Sequence, residues 1–395
     1  MRRGVATFTL DDGKCPKWLF ERMVKLGREM TRVLVHEYGP DEFVRRIADP
    51  VWFQSLGTVL AFDWNASGLT TILTAALKEA IRGDERRLGI FICGGKGKTS
   101  RKTPDEIARW GHRLDLSGET TQALAYNSRM SAKVDSALVQ DGFQLYHHSF
   151  FFSLRPSSGQ AGAWAVVQQG MKPEAGTARR YHWFSERARD LVCEPHSGIA
   201  SQASRDAVLN LVAKESGKTR DLSTDLVQSG FRSVMRDIQI LRRHSSALSK
   251  MISLRHNGKE QLTLLTLEDT EFRSHAVVGE DFSKSAYLEK ILATATAVRP
   301  ENYERLLAIE GVGAKTMRAL ALVGEVIYGA RPSYEDPARY SFAHGGKDAT
   351  PYAVDCETYD RTIAVLQAAV RRSRLEGREK DRALARLERR AMDRT

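Results

Sequence analysis

Cysteine is scarce in this chain of 395 residues: Cys15, Cys93, Cys193 and Cys356 are scattered, and no two form a Cys-x-x-Cys pair. A disulfide framework, a structural zinc and an iron–sulfur cluster are therefore not expected, whereas a reducing cytoplasm is. Long hydrophobic runs are missing too. None approaches the roughly 20 apolar residues that cross a bilayer, so no membrane is expected as a partner. Met1-Arg2-Arg3-Gly4 and the mixed residues after it lack the apolar stretch of a signal peptide. Internal repeats and long low-complexity segments are absent as well. Carboxylates are in the minority, with 49 Asp and Glu against 60 Lys and Arg, a formal charge of +11. That excess favours a polyanionic partner through counterion release.

What is present has the composition of a soluble globular protein, and the length suggests about two or three domains. Leu69 to Ile81 has the spacing of an amphipathic helix, Asp84 to Arg87 that of a polar turn, and Leu88 to Cys93 that of a short buried strand. Thr103-Pro104-Asp105-Glu106 reads as a capping box with proline at the first helical position. Gly142 to Leu154 and Ala163 to Met171 are rich in aromatic and β-branched residues. The turn-forming stretch Arg155 to Gly162 between them predicts a β-hairpin. After about residue 200 the strand signal fades. Asp225 to Arg243 and Ser283 to Val298 read as helices, and Leu262 to Leu267 fits either a strand or a buried helix turn. The expected fold class is α+β. A mixed α/β domain with a small sheet over residues 1–200 would be catalytic, followed by an all-helical, DNA-binding domain over 201–395. The charged tail after Val370 reads as a solvated or partner-binding helix, with a DNA-gripping tail as the alternative.

The most specific local pattern is LAIEGVGAKTMRA, Leu307 to Ala319, inside a helix-hairpin-helix unit expected at about 301–329. Gly311 and Gly313 would let the backbone approach a ligand closely. Amides of the following helix would then point at one anion, in the sense of the helix dipole. Val312 would pack inward, while Lys315 adds positive charge and Thr316 stands beside it. A phosphate of a nucleic-acid backbone is the expected anion. An ordinary glycine-terminated helix followed by another helix is the alternative.

The loop Gly94 to Lys102, GGKGKTSRK, follows a strand and precedes the helix at Pro104. Gly97-Lys98-Thr99 could end a P-loop, but the first glycine of that motif belongs where Ile92 stands, so no nucleotide is expected. Lys96, Lys98 and Arg101 remain as candidate contacts to a phosphate backbone.

Polar residues interrupt the two strands of the predicted hairpin. His147 and His148 lie in FQLYHHSFFFSL, Gln168 and Gln169 in AWAVVQQGM, and a turn centred near residues 158–159 sets the pairs opposite each other. Such residues cost stability unless they have partners or a task. Adjacent strand residues face opposite ways, and HHSFFF sets His148 with Phe150 and Phe152 but His147 with Phe151. His148 is therefore the favoured member of the pair. Arg180, His182, Glu194 and His196 follow, and Asp141 lies at the entrance of the first strand. Drawn to one sheet, this set would suit metal-assisted phosphodiester cleavage. Asp141, Glu194 and His196 would hold a divalent cation, Mg or Mn. His148, His147, Gln169, Arg180, His182 and Glu194 would supply base, positioning and charge neutralisation.

Taken together, RRGVATFTLDDGKCPKWLFERM, ICGGKGKTSRKTPDEI, HHSFFF, VVQQGM and SFAHGGKD resemble the family called domain of unknown function 763. The resemblance spans nearly the whole chain and implies a nucleic-acid-linked, DNA-processing protein. A narrower resemblance covers about the last hundred residues: IEGVGAKTMRAL followed by PYAVDCETYDRTI is similar to helix-hairpin-helix DNA glycosylases. It implies Lys315 as a Schiff-base nucleophile and Asp355 as its carboxylate partner. Arg331 to Thr350, inserted between them, departs from that pattern. Three functions are thus expected in order: a metal-dependent DNA nuclease, a glycosylase or abasic-site lyase, and a non-enzymatic DNA-binding repair scaffold. DNA is the expected partner, and self-association into a homo-oligomer stays open.

Overall fold

The computed structural model describes residues 15–60, 66–155, 158–201, 208–244, 250–256, 259–265, 286–338, 340–341 and 356–392. Five helices come first: α1 (Lys17–Tyr38), α2 (Pro40–Ile47), α3 (Pro50–Leu60), α4 (Ala66–Ala80) and α5 (Glu85–Leu88). Met23, Leu26, Met30 and Leu34 recur at helical spacing and give α1 one buried face. Prolines open α2 and α3, where a missing N–H costs nothing. Asp49 caps α3, its Oδ1 accepting from Val51 N at 2.7 Å. From Trp52 to Leu60 every residue of α3 is buried, so this helix lies inside the molecule.

The main sheet follows the order β1-β3-β4-β5-β6-β10. Its strands are β1 (Ile90–Lys96), β3 (Gln144–Leu154), β4 (Ala161–Lys172), β5 (Thr177–Phe184), β6 (His196–Ser201) and β10 (Tyr340–Ser341). All neighbours are antiparallel except β10, which runs parallel to β6. A separate two-stranded pairing joins β2 (Val139–Gln140) to β7 (Leu209–Asn210). Alternation gives the sheet two apolar faces. Phe150, Phe152, Trp164, Val166, Tyr181 and Trp183 belong to one core, Phe151, Ala165 and Val167 to the other. Phe91 stacks on Phe152 at 4.8 Å and Phe150 on Trp164 at 5.7 Å between ring centres.

Helices cover both faces. With the first core go α6 (Thr103–Arg113), α7 (Gly118–Ala137), α8 (Gly217–Gln228), α9 (Phe231–His244), α10 (Ala286–Val298), α11 (Tyr303–Ala308) and α12 (Ala314–Tyr328). With the second go α1 to α4, α13 (Cys356–Arg372) and α14 (Gly377–Met392). One core runs in sequence from Phe91 to Ala338 and the other from Met23 to Ala383. Both therefore contain residues from either side of residue 200.

The mixed α+β class with a small, largely antiparallel sheet agrees with the sequence, but several details differ. The part after residue 201 is not all-helical. It holds β7, β10 and a hairpin of β8 (Lys250–His256) and β9 (Lys259–Leu265), because period-2 alternation there is short and mixed with charge. The helix expected over Asp225 to Arg243 is two helices that meet at Gly230. The capping box does not form, since Glu106 turns away to accept from Gly94 N at 2.9 Å and Lys78 Nζ at 2.6 Å. Thr103 Oγ1 instead donates to Ser100 O at 2.7 Å. The tail after Val370 is helical and mostly exposed, as its alternating charges suggest, and among its described residues only Leu375 and Ala383 are buried in the second core.

Candidate active site

The predicted pairing of polar residues is present in register: His147 lies opposite Gln169 and His148 opposite Gln168. Strand alternation then sends each pair to both faces. His148 and Gln168 point toward α7, whose N-cap Ser117 accepts from Thr120 N through its side chain at 3.1 Å. On α7 the buried side presents Ser128, Ser131 and Asp135, three polar residues at helical spacing.

These side chains form one bonded chain. Ser128 Oγ lies 2.9 Å from His148 Nε2, and His148 Nδ1 lies 2.8 Å from Gln168 Oε1. Gln168 Nε2 donates to Asp135 Oδ2. The carboxylate also accepts from Trp183 Nε1 at 3.1 Å and from His196 Nε2. In its ionised form Asp135 can only accept, and it then fixes the Gln168 amide with its oxygen toward the imidazole. That oxygen requires a proton on Nδ1 of His148. Nε2 is then the lone-pair nitrogen, and Ser128 must donate to it. Burial pushes His148 down to about 4 against a small upward pull from Gln168, so the ring is neutral at physiological pH. Desolvation likewise pushes Asp135 upward, opposed by His196, Trp183 and Gln168.

The chain of bonds opens onto a cleft of about 470 Å³. Ser128, His148 and Gln168 line its inner end, with Arg101, Arg129 and Lys133 around it. Arg101 comes from the glycine-rich loop, whose short 3₁₀ turn Gly97–Lys102 follows β1. The loop reaches the site because Gly95 and Lys96 pair with His148 and His147 across β1 and β3. Lys96 and Lys98 are exposed on it, the former 5.8 Å over the Tyr146 ring. Among the described residues no carboxylate forms an ion pair with Arg101 or Arg129. Lys133 donates to Ile309 O at 2.5 Å, and burial lowers its pKa.

Ile309 begins the turn between α11 and α12, so the cleft adjoins the segment singled out from sequence. Gly311 has φ +81°, and a Cβ there would meet Ile291 Cδ1 at 2.3 Å. Gly313 is extended and has open space where a Cβ would be. No side chain caps α12. Val312 is buried as expected, Lys315 is half-buried, and Gln140 Nε2 donates to Ala314 O at 3.0 Å. Thr316 is buried, its helical position facing the core. Asp355, the other half of the lyase pair, lies outside the described residues.

His147 also borders the cleft, but its ring and the other residues nominated for catalysis do not join the network of His148. His147, Gln169, Arg180 and His182 sit on the opposite face of the sheet, against α3 and α4. There His147 Nε2 meets Thr74 Oγ1 at 3.1 Å, and Gln169 Nε2 donates to Ser67 O at 3.0 Å. Arg180 Nε donates to His182 Nε2 at 2.8 Å, and His182 Nδ1 faces Ile47 O. Asp141, Glu194 and His196 are not brought together either. Asp141 pairs with Arg179 at 3.0 Å and accepts from Tyr181 Oη at 2.6 Å, while Asp336 holds the other side of Arg179 at 2.7 Å. His196 serves Asp135, and Glu194 is exposed with φ +45°. Among the described residues no three of His, Cys, Asp and Glu are grouped to hold a metal ion. The nominated set thus does not fit one cation, because its members are tied to separate networks.

Ser128, Asp135, Arg129 and Lys133 were missed from sequence. The available signal was the i, i+3, i+7 polar spacing of Ser128, Ser131 and Asp135, hidden because polar residues on a helix normally face water.

The chain belongs to the family described as protein of unknown function (DUF763), whose model matches residues 4–354. No curated protein and no solved structure matches the chain significantly.

Proposed function

We propose that this protein is a DNA-processing enzyme that cleaves the phosphodiester backbone in the cleft beside α7. The observation that carries the reading is a neutral imidazole, oriented by Gln168 and Asp135, at the inner end of a cleft with three cations. Arg101, Arg129 and Lys133 would hold a phosphate and offset charge building on its oxygens. His148 Nε2 would take the proton of the attacking oxygen and return it to the leaving oxygen. The amides at the uncapped start of α12, with Lys315, would grip a neighbouring phosphate in the manner of a helix-hairpin-helix. Such contacts see only backbone and read no sequence. Because Asp141, Glu194 and His196 keep separate partners, no step is routed through a metal.

The test is cleavage of normal, abasic and branched DNA by the full chain, with and without magnesium or manganese. Wild-type protein is expected to cut, and His148→Ala to lose about 10²–10⁴-fold in rate. Binding without cutting on any of these substrates would leave a DNA-binding scaffold as the reading. A borohydride-trapped adduct on abasic DNA that Lys315→Arg removes would transfer the chemistry to Lys315.

A further inference from the structure

We infer that Ser128 is the attacking nucleophile of this site and that cleavage passes through a phosphoseryl intermediate. The inference rests on the phosphodiesterase reading for the identity of the electrophile, but on bond geometry for the identity of the nucleophile. Three observations converge. Nε2 of His148 is the only basic nitrogen of that ring, given the proton that Gln168 Oε1 demands on Nδ1, and its partner is Ser128 Oγ at 2.9 Å. A water molecule activated by His148 would have to displace that hydroxyl. Ser128 also lines the cleft itself, so a phosphate held there would adjoin this residue. Finally, Ser128 stands on a helix, with the orienting groups Gln168 on β4 and Asp135 about two turns further along α7. Nucleophile, base and orienting group are thus held by regular elements.

The step balances without a co-reactant. Ser128 Oγ forms a bond to phosphorus while the bond from phosphorus to one ester oxygen breaks. The serine proton passes to His148 Nε2 and from there to the departing oxygen, which leaves as a hydroxyl. Water then attacks the phosphoserine, giving its proton to His148, and the departing Ser128 Oγ takes that proton back. The net reaction is hydrolysis. Gln168 and Asp135 touch no reacting atom and act as positioning residues. The competing account makes Ser128 a hydrogen-bond partner that merely satisfies a buried histidine.

Two readouts on the full chain separate these accounts. In the first, a fluorophosphonate probe reacts with the protein and the modified residue is located by peptide mass spectrometry. In the second, internally phosphate-labelled duplex DNA is cleaved and acid-quenched to retain label on protein. Expected are a probe adduct on Ser128, phosphate label on wild-type protein, and neither in Ser128→Ala, whose cleavage falls about 10²–10⁴-fold. Gln168→Ala should lower kcat with KM unchanged and move the acidic limb of the rate–pH profile, which a purely structural role would not do. Folded Ser128→Ala cutting DNA at the wild-type rate, with no adduct in wild type, overturns the inference and leaves His148 acting on water. Probe modification of Ser128 without cleavage of any DNA keeps the activated serine and overturns the phosphodiesterase reading instead. Absence of both adduct and cleavage overturns both.

Discussion

His147 and His148 are neighbours in sequence and belong to different networks. His148 bonds to Ser128 and Gln168, whereas His147 meets Thr74 and Ser149 on the far face of the sheet. His147→Ala is expected to retain cleavage and to cost about 1–3 kcal/mol of stability, as a buried partner is removed; thermal denaturation and a rate measurement check the two halves. Both rings are pushed down by burial from the ordinary 6.5, His148 to about 4 and His147 to about 3. The unfolded chain therefore binds more protons than the folded one between those values and 6.5. Their contribution to stability is complete above pH 6.5 and shrinks as pH falls through that window, by roughly 3 kcal/mol or more per ring. Denaturant unfolding between pH 7 and 4 is expected to show a shallower acid slope in His147→Asn and His148→Asn than in wild type. At this scale the sequence was readable where period 2 applies, which placed His148 with Phe150 and opposite Gln168. It was unreadable for Ser128 and Asp135, because a helix residue declares its face only once the neighbouring sheet is in place.

Among the elements, the turn between α11 and α12 gives its two glycines different tasks. Gly311→Ala strains a backbone at φ +81° and drives a Cβ into Ile291, so it should lower stability and DNA affinity together. Gly313→Ala meets open space and should leave stability nearly unchanged. If α12's start grips phosphate, it should still weaken binding, equally for all sequences. Melting curves and fluorescence-anisotropy titrations of both variants decide this, and unchanged affinity in folded Gly313→Ala would remove the turn from the interface. The Gly-Val-Gly pattern was legible because inward Val312 and the two helices follow from local spacing. The burial of Thr316 was not legible, because the same spacing cannot tell an N-terminal surface from a core-facing turn. The metal set failed for a related reason. Asp141 looked available beside the strand entrance, but Arg179 and Asp336, distant in sequence, had already enclosed it.

In the whole molecule, both apolar cores draw on residues before and after position 200, including α13 and α14 at the chain's end. Residues 1–200 alone are accordingly expected not to unfold as a cooperative unit, since α8 to α12 on one face and α13 and α14 on the other would be missing from the cores. Calorimetry of that fragment beside the full chain checks the point. The strand signal that fades after about residue 200 suggested a boundary there, yet both cores take residues from either side of it, and only a three-dimensional register reveals them. The excess of positive charge was legible from the start, and DNA affinity should fall steeply with salt, by about one log-log slope unit per phosphate contacted. Of all these measurements, single-turnover cleavage of duplex DNA by wild type and by folded His148→Ala tests the central claim most directly. The account expects cutting by wild type and a loss of about 10²–10⁴-fold in the variant, with binding retained. Equal rates in the two proteins would contradict it and place the chemistry outside this cleft.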